Sequence, residues 1–196
     1  MAGSIIQGVP LGNREIKMKL KHVGENTIIR EWVRFIRLEN ISIGDNCMID
    51  DFVIIAGGRN SHLTLIGNHV HIAPFTSILG SAGVALLDFV TLAPGCRLFS
   101  ESEDYLESAF TNPTVPDKYR STSIGQIALG RFVTLGANCV VLPGVTIGEG
   151  ASVGALSLIK DNIEPWTVNA GIPTRQIKKR DKNRILELYQ KMIKEE

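Results

Sequence analysis

Apolar residues return at every sixth position over most of this chain. One unit, residues 43–48, reads Ile-Gly-Asp-Asn-Cys-Met, and the same spacing continues through Leu129, Leu135, Val141 and Ile147. An aliphatic residue opens each unit, and the fifth position is small or β-branched. Helical spacing of about 3.6 residues does not explain this pattern. It is typical of an all-β fold, the parallel β-helix, in which hexapeptide units stack as triangular coils.

The position of a residue in the repeat predicts where its side chain points. Successive side chains of a strand alternate between the two faces. Val70 and Ile72 should therefore point inward, and His71 between them should point outward. Only small residues fit at the fifth position, over a corner of the interior. That set is Cys47, Val53, Val70, Thr76, Val90, Cys96, Val133, Cys139, Val145, Ala151 and Ser157.

The repeat divides the chain into parts. Residues 1–22 precede it and are predicted to form an N-terminal extension. Residues 23–180 are predicted to form the β-helix, from which a long loop, residues 99–125, protrudes. Loops of this length in a compact fold are usually functional or disordered, and the aromatic residues and prolines of this one argue against disorder.

The last segment, residues 181–196, has helical rather than hexapeptide spacing. It is predicted to form a C-terminal α-helix with Asp181 as its N-cap. The apolar residues that share one stripe of this helix are Ile185, Leu188, Tyr189 and Met192.

The composition fits such a fold. Aromatic residues make up 6% of the chain, which suits a narrow prism with little room for rings. The net charge of +1 gives no field that would attract nucleic acid or an anionic membrane. No signal peptide and no apolar run of about 18 residues is present, so we expect a cytoplasmic protein without membrane insertion. All three cysteines occupy the small inward position and are interpreted as buried thiols.

Two segments at the end of the repeat resemble a known family. Residues 145–161 read VTIGEGASVGALSLIKD, and residues 170–175 read AGIPTR. Together they resemble the C-terminal signature of hexapeptide-repeat acetyltransferases, and the similarity to galactoside, maltose and polysaccharide O-acetyltransferases extends over roughly residues 40–180. The resemblance implies a left-handed β-helix, a homotrimer with active sites between adjacent subunits, and acetyl-CoA as the donor.

The function implied by this resemblance is transfer of an acetyl group to a hydroxyl of a sugar or of a surface polysaccharide precursor. A close variant would act on the amine of a nucleotide-linked amino sugar. A non-catalytic trimeric scaffold that binds sugars is the alternative from another class. A β-helical carbonic anhydrase would need three converging histidines, and the spacing of His62, His69 and His71 does not match that family, so no metal is expected.

Acetyl transfer to a hydroxyl needs a base, and histidine suits this role near neutral pH. Of the four histidines, His71 is the leading candidate, because a neighbouring subunit that covered its flat face would bury the imidazole beside the long loop. His69, at a coil corner, is the second candidate. Galactoside-type relatives carry the catalytic histidine in the loop region, but loop 99–125 of this chain contains none. A loop acid, one of Glu101, Glu103 and Asp104, or catalysis by positioning alone therefore stays open.

Coenzyme A contacts are expected in and after the last coils. The turns at Gly136-Ala137 and Gly154-Ala155 could admit the pantetheine arm, although the corners of the coils explain the glycines equally well. The family binds the phosphates of coenzyme A after the Ala-Gly-x-Pro run. The residues assigned to this region are Lys160, Pro173, Arg175 and Lys178. Trp166 could pack on the cofactor or cap the end of the prism.

The acceptor is expected to contact the long loop. The sequence of residues 103–105 and 111–116 resembles that of the family branch that acts on cell-surface sugars. The loop residues with suitable hydrogen-bonding groups or ring faces are Asp104, Tyr105, Asn112 and Tyr119. The alternative is that these residues bridge subunits.

Overall fold

Short strands follow one another around a triangular prism. The structure is a computed structural model of one chain, and it describes residues 19–103 and 109–195. The first four coils contain β1 (His22–Val23), β2 (Ile28–Ile29), β3 (Arg34–Ile36), β4 (Ile41–Ile43), β5 (Met48–Ile49), β6 (Ile54–Ala56), β7 (Thr64–Ile66), β8 (His71–Ile72), β9 (Ser77–Leu79), β10 (Val84–Leu86), β11 (Thr91–Leu92) and β12 (Arg97–Phe99). The hairpin β13 (Glu101–Glu103) and β14 (Thr122–Ile124) then interrupts the coils. The later strands are β15 (Ile127–Leu129), β16 (Thr134–Leu135), β17 (Val140–Val141), β18 (Thr146–Ile147), β19 (Ser152–Val153), β20 (Leu158–Ile159), β21 (Thr167–Ala170) and β22 (Arg175–Lys179).

Three sheets form the sides of the prism. Sheet A contains β1, β4, β7, β10, β15 and β18, and sheet C contains β3, β6, β9, β12, β17 and β20. Sheet B contains β2, β5, β8, β11, β16, β19 and β21, and it ends at β22, which pairs with β21 in the antiparallel direction. The other neighbours in these sheets pair in parallel, each strand with the equivalent strand of the next coil. The predicted parallel β-helix is confirmed.

The interior of the prism is aliphatic. The opening residues of the hexads are fully buried in most coils, as at Ile43, Ile72, Leu92 and Leu135. Every member of the predicted fifth-position set is at most 2% exposed. The alternation of side chains along each strand therefore predicts the core residues correctly.

The cysteines lie in this core. Cys47, Cys96 and Cys139 are free and buried, as predicted. Burial raises the pKa of the Cys47 thiol. Its Sγ donates a hydrogen bond to the carbonyl oxygen of Gly67 at 3.0 Å. These thiols serve as small core side chains.

A ladder of aromatic rings runs along the corner between sheets A and B. The ring of His69 stacks on Phe89 at 4.7 Å between centroids, and Phe89 stacks on Phe132 at 5.2 Å. Trp166 continues the ladder in the last coil. Gly150 precedes Trp166 at this corner with a φ of +66°, and a Cβ there would lie 2.3 Å from the indole ring. Glycine is therefore the residue that fits beneath Trp166.

The C-terminal helix α1 (Asn183–Glu195) packs on this ladder. Tyr189 meets Phe89 and Phe132 edge to face, with ring centroids 5.4 and 5.5 Å apart. Asp181 accepts a hydrogen bond from the backbone N–H of Asn183, which agrees with its predicted capping role. The predicted apolar stripe lies on this helix, and within it Leu188 is 50% exposed. Tyr189 fixes the rotation of the helix, and Leu188 then lies beside the contact rather than in it.

The long loop has structure of its own. Strands β13 and β14 pair in the antiparallel direction, and a 3₁₀ helix spans Asp117–Tyr119. The loop leaves sheet C after β12 and rejoins sheet A at β15, so it projects from the edge of the prism opposite sheet B. No helix within residues 19–103 or 109–195 has the length and apolar character needed to cross a membrane.

Candidate functional site

The outer face of sheet B brings together several predicted site residues. Strand pairing places one file of outward residues across neighbouring coils, and that file is His71, Thr91, Thr134, Ser152, Val168 and Lys178. Neighbouring strands are about 4.8 Å apart, so His71 and Lys178 stand roughly 24 Å apart along the face. The predicted base and a predicted phosphate ligand thus share one surface.

A second file runs beside the first. Its members, ordered by the backbone hydrogen bonds between coils, are Asp50, Ala73, Ala93, Gly136, Gly154, Ala170 and Arg175. Between Asp50 and Arg175 this file contains alanine and glycine alone. A shallow, backbone-lined strip therefore leads from the surroundings of His71 to the basic strand β22.

His71 pairs with a carboxylate on the coil before it. Its Nε2 lies 2.8 Å from Oδ2 of Asp50, and the two side chains are 42% and 20% exposed. In the sheet, His71 stands between Met48 and Thr91. The hexapeptide pattern did not single out Asp50 as a site residue. The repeat contained the signal, because Asp50 follows the inward Ile49 and must therefore point outward beside the His71 coil.

His69 lies in a different environment. It occupies the corner between sheets A and B with a φ of +54°, and its ring stacks on Phe89. Its position in the aromatic ladder separates it from the outer face that carries His71. The two candidate histidines therefore have different structural roles.

The basic residues after the repeat do not form one cluster. Arg175 and Lys178 lie on β22 opposite Ala170 and Val168, the outward residues of β21. Cross-strand partners share a face, so both cations stand on the outer side of sheet B. Lys160 follows β20 of sheet C instead, and its ammonium lies 3.2 Å from the carboxylate of Asp161. The structure brings Arg175 and Lys178 together and leaves Lys160 apart.

The residues predicted to contact the pantetheine arm of coenzyme A also have structural reasons for their identity. A Cβ at Gly136 would lie 2.5 Å from the backbone nitrogen of Ala155, so close stacking of the coils requires glycine there. A Cβ at Gly154 would meet Ala170 at 3.0 Å. Ala137 and Ala155 occupy the corners that follow these two glycines.

Two further candidates lie at the end of the prism. Pro173 lies in the turn between β21 and β22, two residues before Arg175. Trp166 belongs to the aromatic ladder and covers Gly150. Its contacts fit the role of a cap over the last coil.

Two of the loop candidates, Asn112 and Tyr119, belong to the loop that leaves the prism at the edge opposite sheet B. Asn112 uses its side-chain oxygen within the loop, where it accepts hydrogen bonds from the backbone N–H and the hydroxyl of Thr114. Tyr119 exposes its ring, with the ammonium of Lys118 at 4.7 Å from the centroid. Asp104 and Tyr105 lie outside the described residues.

Two of the loop acids that stayed open as bases, Glu101 and Glu103, are engaged in ion pairs. Glu101 lies 3.2 Å from Nη1 of Arg59, and Glu103 pairs with Arg120. Both contacts fasten the base of the loop. Among residues 19–103 and 109–195, no three histidine, cysteine or acidic side chains are grouped so that they could hold a metal ion.

Comparison with known proteins identifies the family. Residues 127–161 match the family described as bacterial transferase hexapeptide (six repeats). Over 172 residues the chain is 38% identical to a dTDP-4-amino-4,6-dideoxy-D-glucose acyltransferase of Escherichia coli, covering 88% of each protein. It is 30% identical to the putative lipopolysaccharide biosynthesis O-acetyl transferase WbbJ of Escherichia coli K12, covering 72% of this chain and 69% of WbbJ.

A solved structure agrees over nearly the whole fold. The N-acyltransferase AntD of Bacillus cereus, in complex with dTDP and 3-hydroxybutyryl-CoA, superposes with a TM-score of 0.87 at 32% identity. The match covers 94% of this chain and 96% of AntD. The coenzyme A thioester in that structure agrees with the donor predicted from the sequence. The chain belongs to the hexapeptide-repeat transferases, and it is an acyltransferase, as its repeat and C-terminal motif predict.

Proposed function

We propose that this chain transfers an acetyl group from acetyl-CoA to a sugar carried on a nucleotide, and that the reaction takes place on the outer face of sheet B. The observation that carries the proposal is the alignment of the His71–Asp50 pair with Arg175 and Lys178 at the two ends of one strip of small residues. A long, thin donor with a reactive thioester at one end and phosphates at the other fits such a surface.

The basic strand suits the phosphate end of the donor. Arg175 and Lys178 are exposed on an edge strand, where cations can make charge-assisted hydrogen bonds to phosphate. The file of Ala93, Gly136, Gly154 and Ala170 lacks the side chains that would obstruct a pantetheine arm. The thioester then lies toward His71.

His71 is the proposed base. The acceptor nitrogen or oxygen attacks the thioester carbonyl carbon while His71 takes its proton, and the carbon–sulfur bond then breaks to release the thiolate of coenzyme A. The thiolate recovers a proton from the imidazolium or from water. Histidine suits this exchange because it both accepts and returns a proton near neutral pH.

The acceptor site is proposed to need a second subunit. The loop leaves the prism at the edge opposite sheet B, and we take the loop of a neighbouring chain, rather than of the same chain, to supply the acceptor contacts at His71. In a homotrimer, the loop of a neighbour would cover this face and bring Tyr119 and the candidates Asp104, Tyr105 and Asn112 to the acceptor. Covering the face would also exclude water from the thioester.

An amine on a nucleotide-linked sugar is the favoured acceptor. The acyltransferase of Escherichia coli and AntD, which are named for amino-sugar acylation or N-acylation, resemble this chain over most of its length. A sugar hydroxyl, the acceptor predicted first, is the second candidate, and the similarity to the O-acetyl transferase WbbJ supports it.

The test is a thiol-release assay with acetyl-CoA and two matched acceptors. One is dTDP-4-amino-4,6-dideoxyglucose, and the other is the same nucleotide sugar with a hydroxyl in place of the amine. Thiol release should depend on acceptor, and the product mass should rise by one acetyl group. Alkaline hydroxylamine cleaves an ester and spares an amide, so it identifies the acylated atom. Acceptor binding without thiol release would overturn the proposal and favour the sugar-binding scaffold.

A further inference from the structure

The contact between His71 and Asp50 assigns a proton to one nitrogen of the ring. A carboxylate only accepts hydrogen bonds, and a neutral imidazole carries one N–H. Since Nε2 lies 2.8 Å from Oδ2 of Asp50, Nε2 is the nitrogen that carries the proton. The unprotonated nitrogen of neutral His71 is then Nδ1.

We propose that Asp50 is a positioning residue for the acyl transfer, which holds His71 in the tautomer with Nδ1 as the proton acceptor. This inference rests on the proposed function, in which His71 is the base. Asp50 does not touch the substrate. It orients the imidazole and stabilises the positive charge that the ring gains when Nδ1 takes the acceptor proton.

The backbone fixes the distance between the two side chains. Met48 pairs with His71 and Ile49 with Ile72, and the N–H of Asp50 donates to the carbonyl oxygen of Ile72 at 3.0 Å. Asp50 therefore stands one coil from His71 in a fixed register. A rigid sheet, rather than a loop, holds both members of the pair, so little conformational freedom is lost when the pair works.

Arg30 adds a cation beside this pair. Nε of Arg30 lies 4.0 Å from Oδ1 of Asp50, and Oδ2 of the same carboxylate faces His71. The neighbours of His71 along its own file, Met48 and Thr91, are uncharged. Within the described part of the chain, Asp50 contacts the ring directly, and Arg30 lies beside the other oxygen of the same carboxylate.

The first variants to compare are Asp50→Asn and Asp51→Asn. In Asp50→Asn, the amide that replaces the carboxylate can donate to Nε2, which would move the ring proton to Nδ1 and block the base. Asp50→Asn should lower kcat by about 10²-fold or more, with both Michaelis constants within about twofold. Asp51 is the matched control, because its carboxylate accepts the backbone N–H of Trp32 at 3.0 Å and does not contact His71. Asp51→Asn should leave kcat unchanged.

Two further measurements separate positioning from a structural role. Nitrogen NMR of the histidine ring should detect the proton on Nε2 in the natural protein and on Nδ1 in Asp50→Asn. In the double variant with His71→Ala, Asp50→Asn should cause no additional loss of kcat, because the two residues act as one unit. Asp50→Glu should recover part of the lost activity.

These outcomes also distinguish this inference from the proposed function. Full activity of Asp50→Asn, or a proton on Nδ1 in the natural protein, would overturn the positioning role while acetyl transfer stands. A fully active His71→Ala variant would overturn the positioning role together with the choice of base. Failure of every acceptor in the assay would count against acetyl transfer to a sugar, and the NMR measurement would still decide the tautomer.

Discussion

The guanidinium carbon of Arg131 lies 4.7 Å from the ring centroid of Tyr189, so a residue of the prism holds the C-terminal helix through a cation–π contact. The same guanidinium lies 4.9 Å from the ring of Phe132. Tyr189 therefore contacts a cation and two rings of the aromatic ladder. These contacts of Tyr189 fasten the helix to the corner of the β-helix.

Replacement of Tyr189 by alanine should release the helix from the ladder. Each of the two edge-to-face aromatic pairs contributes about 0.5–1.5 kcal/mol and an exposed cation–π contact about 0.5–1 kcal/mol, so the free energy of unfolding should fall by about 1.5–4 kcal/mol. Urea unfolding measures this change. Gln190→Ala, an exposed position on the same helix, is the control and should have little effect. An equal loss in both variants would contradict the role of the ring contacts.

The buried thiol of Cys47 predicts how stability responds to alkaline pH. Burial raises its pKa above the ordinary value of 9.0, so the folded state keeps the proton while the unfolded state releases it. The stabilisation is complete below pH 9 and is lost as pH rises through the folded-state pKa. The free energy of unfolding should therefore fall as pH increases above about 9, and Cys47→Ala should reduce that slope. A thiol reagent should label Cys47 in urea and not in the native protein.

The basic residues of β22 point to different sides of the sheet, so variants on the two sides can be compared as test and control. Arg175→Ala combined with Lys178→Ala should raise the Michaelis constant for acetyl-CoA several-fold and leave that of the acceptor nearly unchanged, because charge-assisted phosphate contacts are lost. Lys179→Ala is the control, since Lys179 pairs with the buried Thr167 and points away from the outer face. An equal effect of the control would argue for a general charge effect instead of a site. Raised salt should weaken binding only where Arg175 and Lys178 are intact.

The predicted homotrimer can be tested on the outer face of sheet C. Ile54 and Val140 point outward there, and each is partly buried within the single chain. Light scattering should give three times the chain mass of 21.4 kDa. Val140→Glu should shift this toward the monomer, because a buried unpaired charge is costly. Thr146→Glu, on the exposed outer side of sheet A, is the control. A monomer of the natural protein at micromolar concentration would refute the prediction.

The sequence predicts the fold in detail because the repeat couples position to burial. A residue such as Val70 or Cys139 can be placed inward from its position in the hexad alone. The same rule places His71 on the outer face between Met48 and Thr91, which the strand pairing confirms. Residues in one coil and their neighbours in the next are therefore predictable without a structure.

The candidate site was harder to predict because it depends on which sheet a residue joins. Lys160 and Arg175 are both basic and close in sequence, yet they belong to different sides of the prism. The partner of His71, Asp50, lies one coil earlier and carries no motif of its own. The ring stack of His69 depends on three corners of successive coils, which single-residue patterns do not reveal.

Replacing each of the two candidate histidines by alanine should have a different effect on kcat and on the melting temperature. His71 stands on the outer face with a carboxylate partner, so His71→Ala should lower kcat by about 10²–10⁴-fold, the usual cost of losing a general base. Its melting temperature should stay near that of the natural protein, because the side chain is partly exposed and packs in no core. His69 lies in the aromatic ladder, so His69→Ala should lower the melting temperature and reduce kcat by less than about tenfold. Steady-state kinetics and thermal unfolding of both variants measure these effects.

If the kinetic effects are reversed, His69 is the base. If neither variant loses activity, the proton passes to a loop carboxylate or directly to the leaving thiolate.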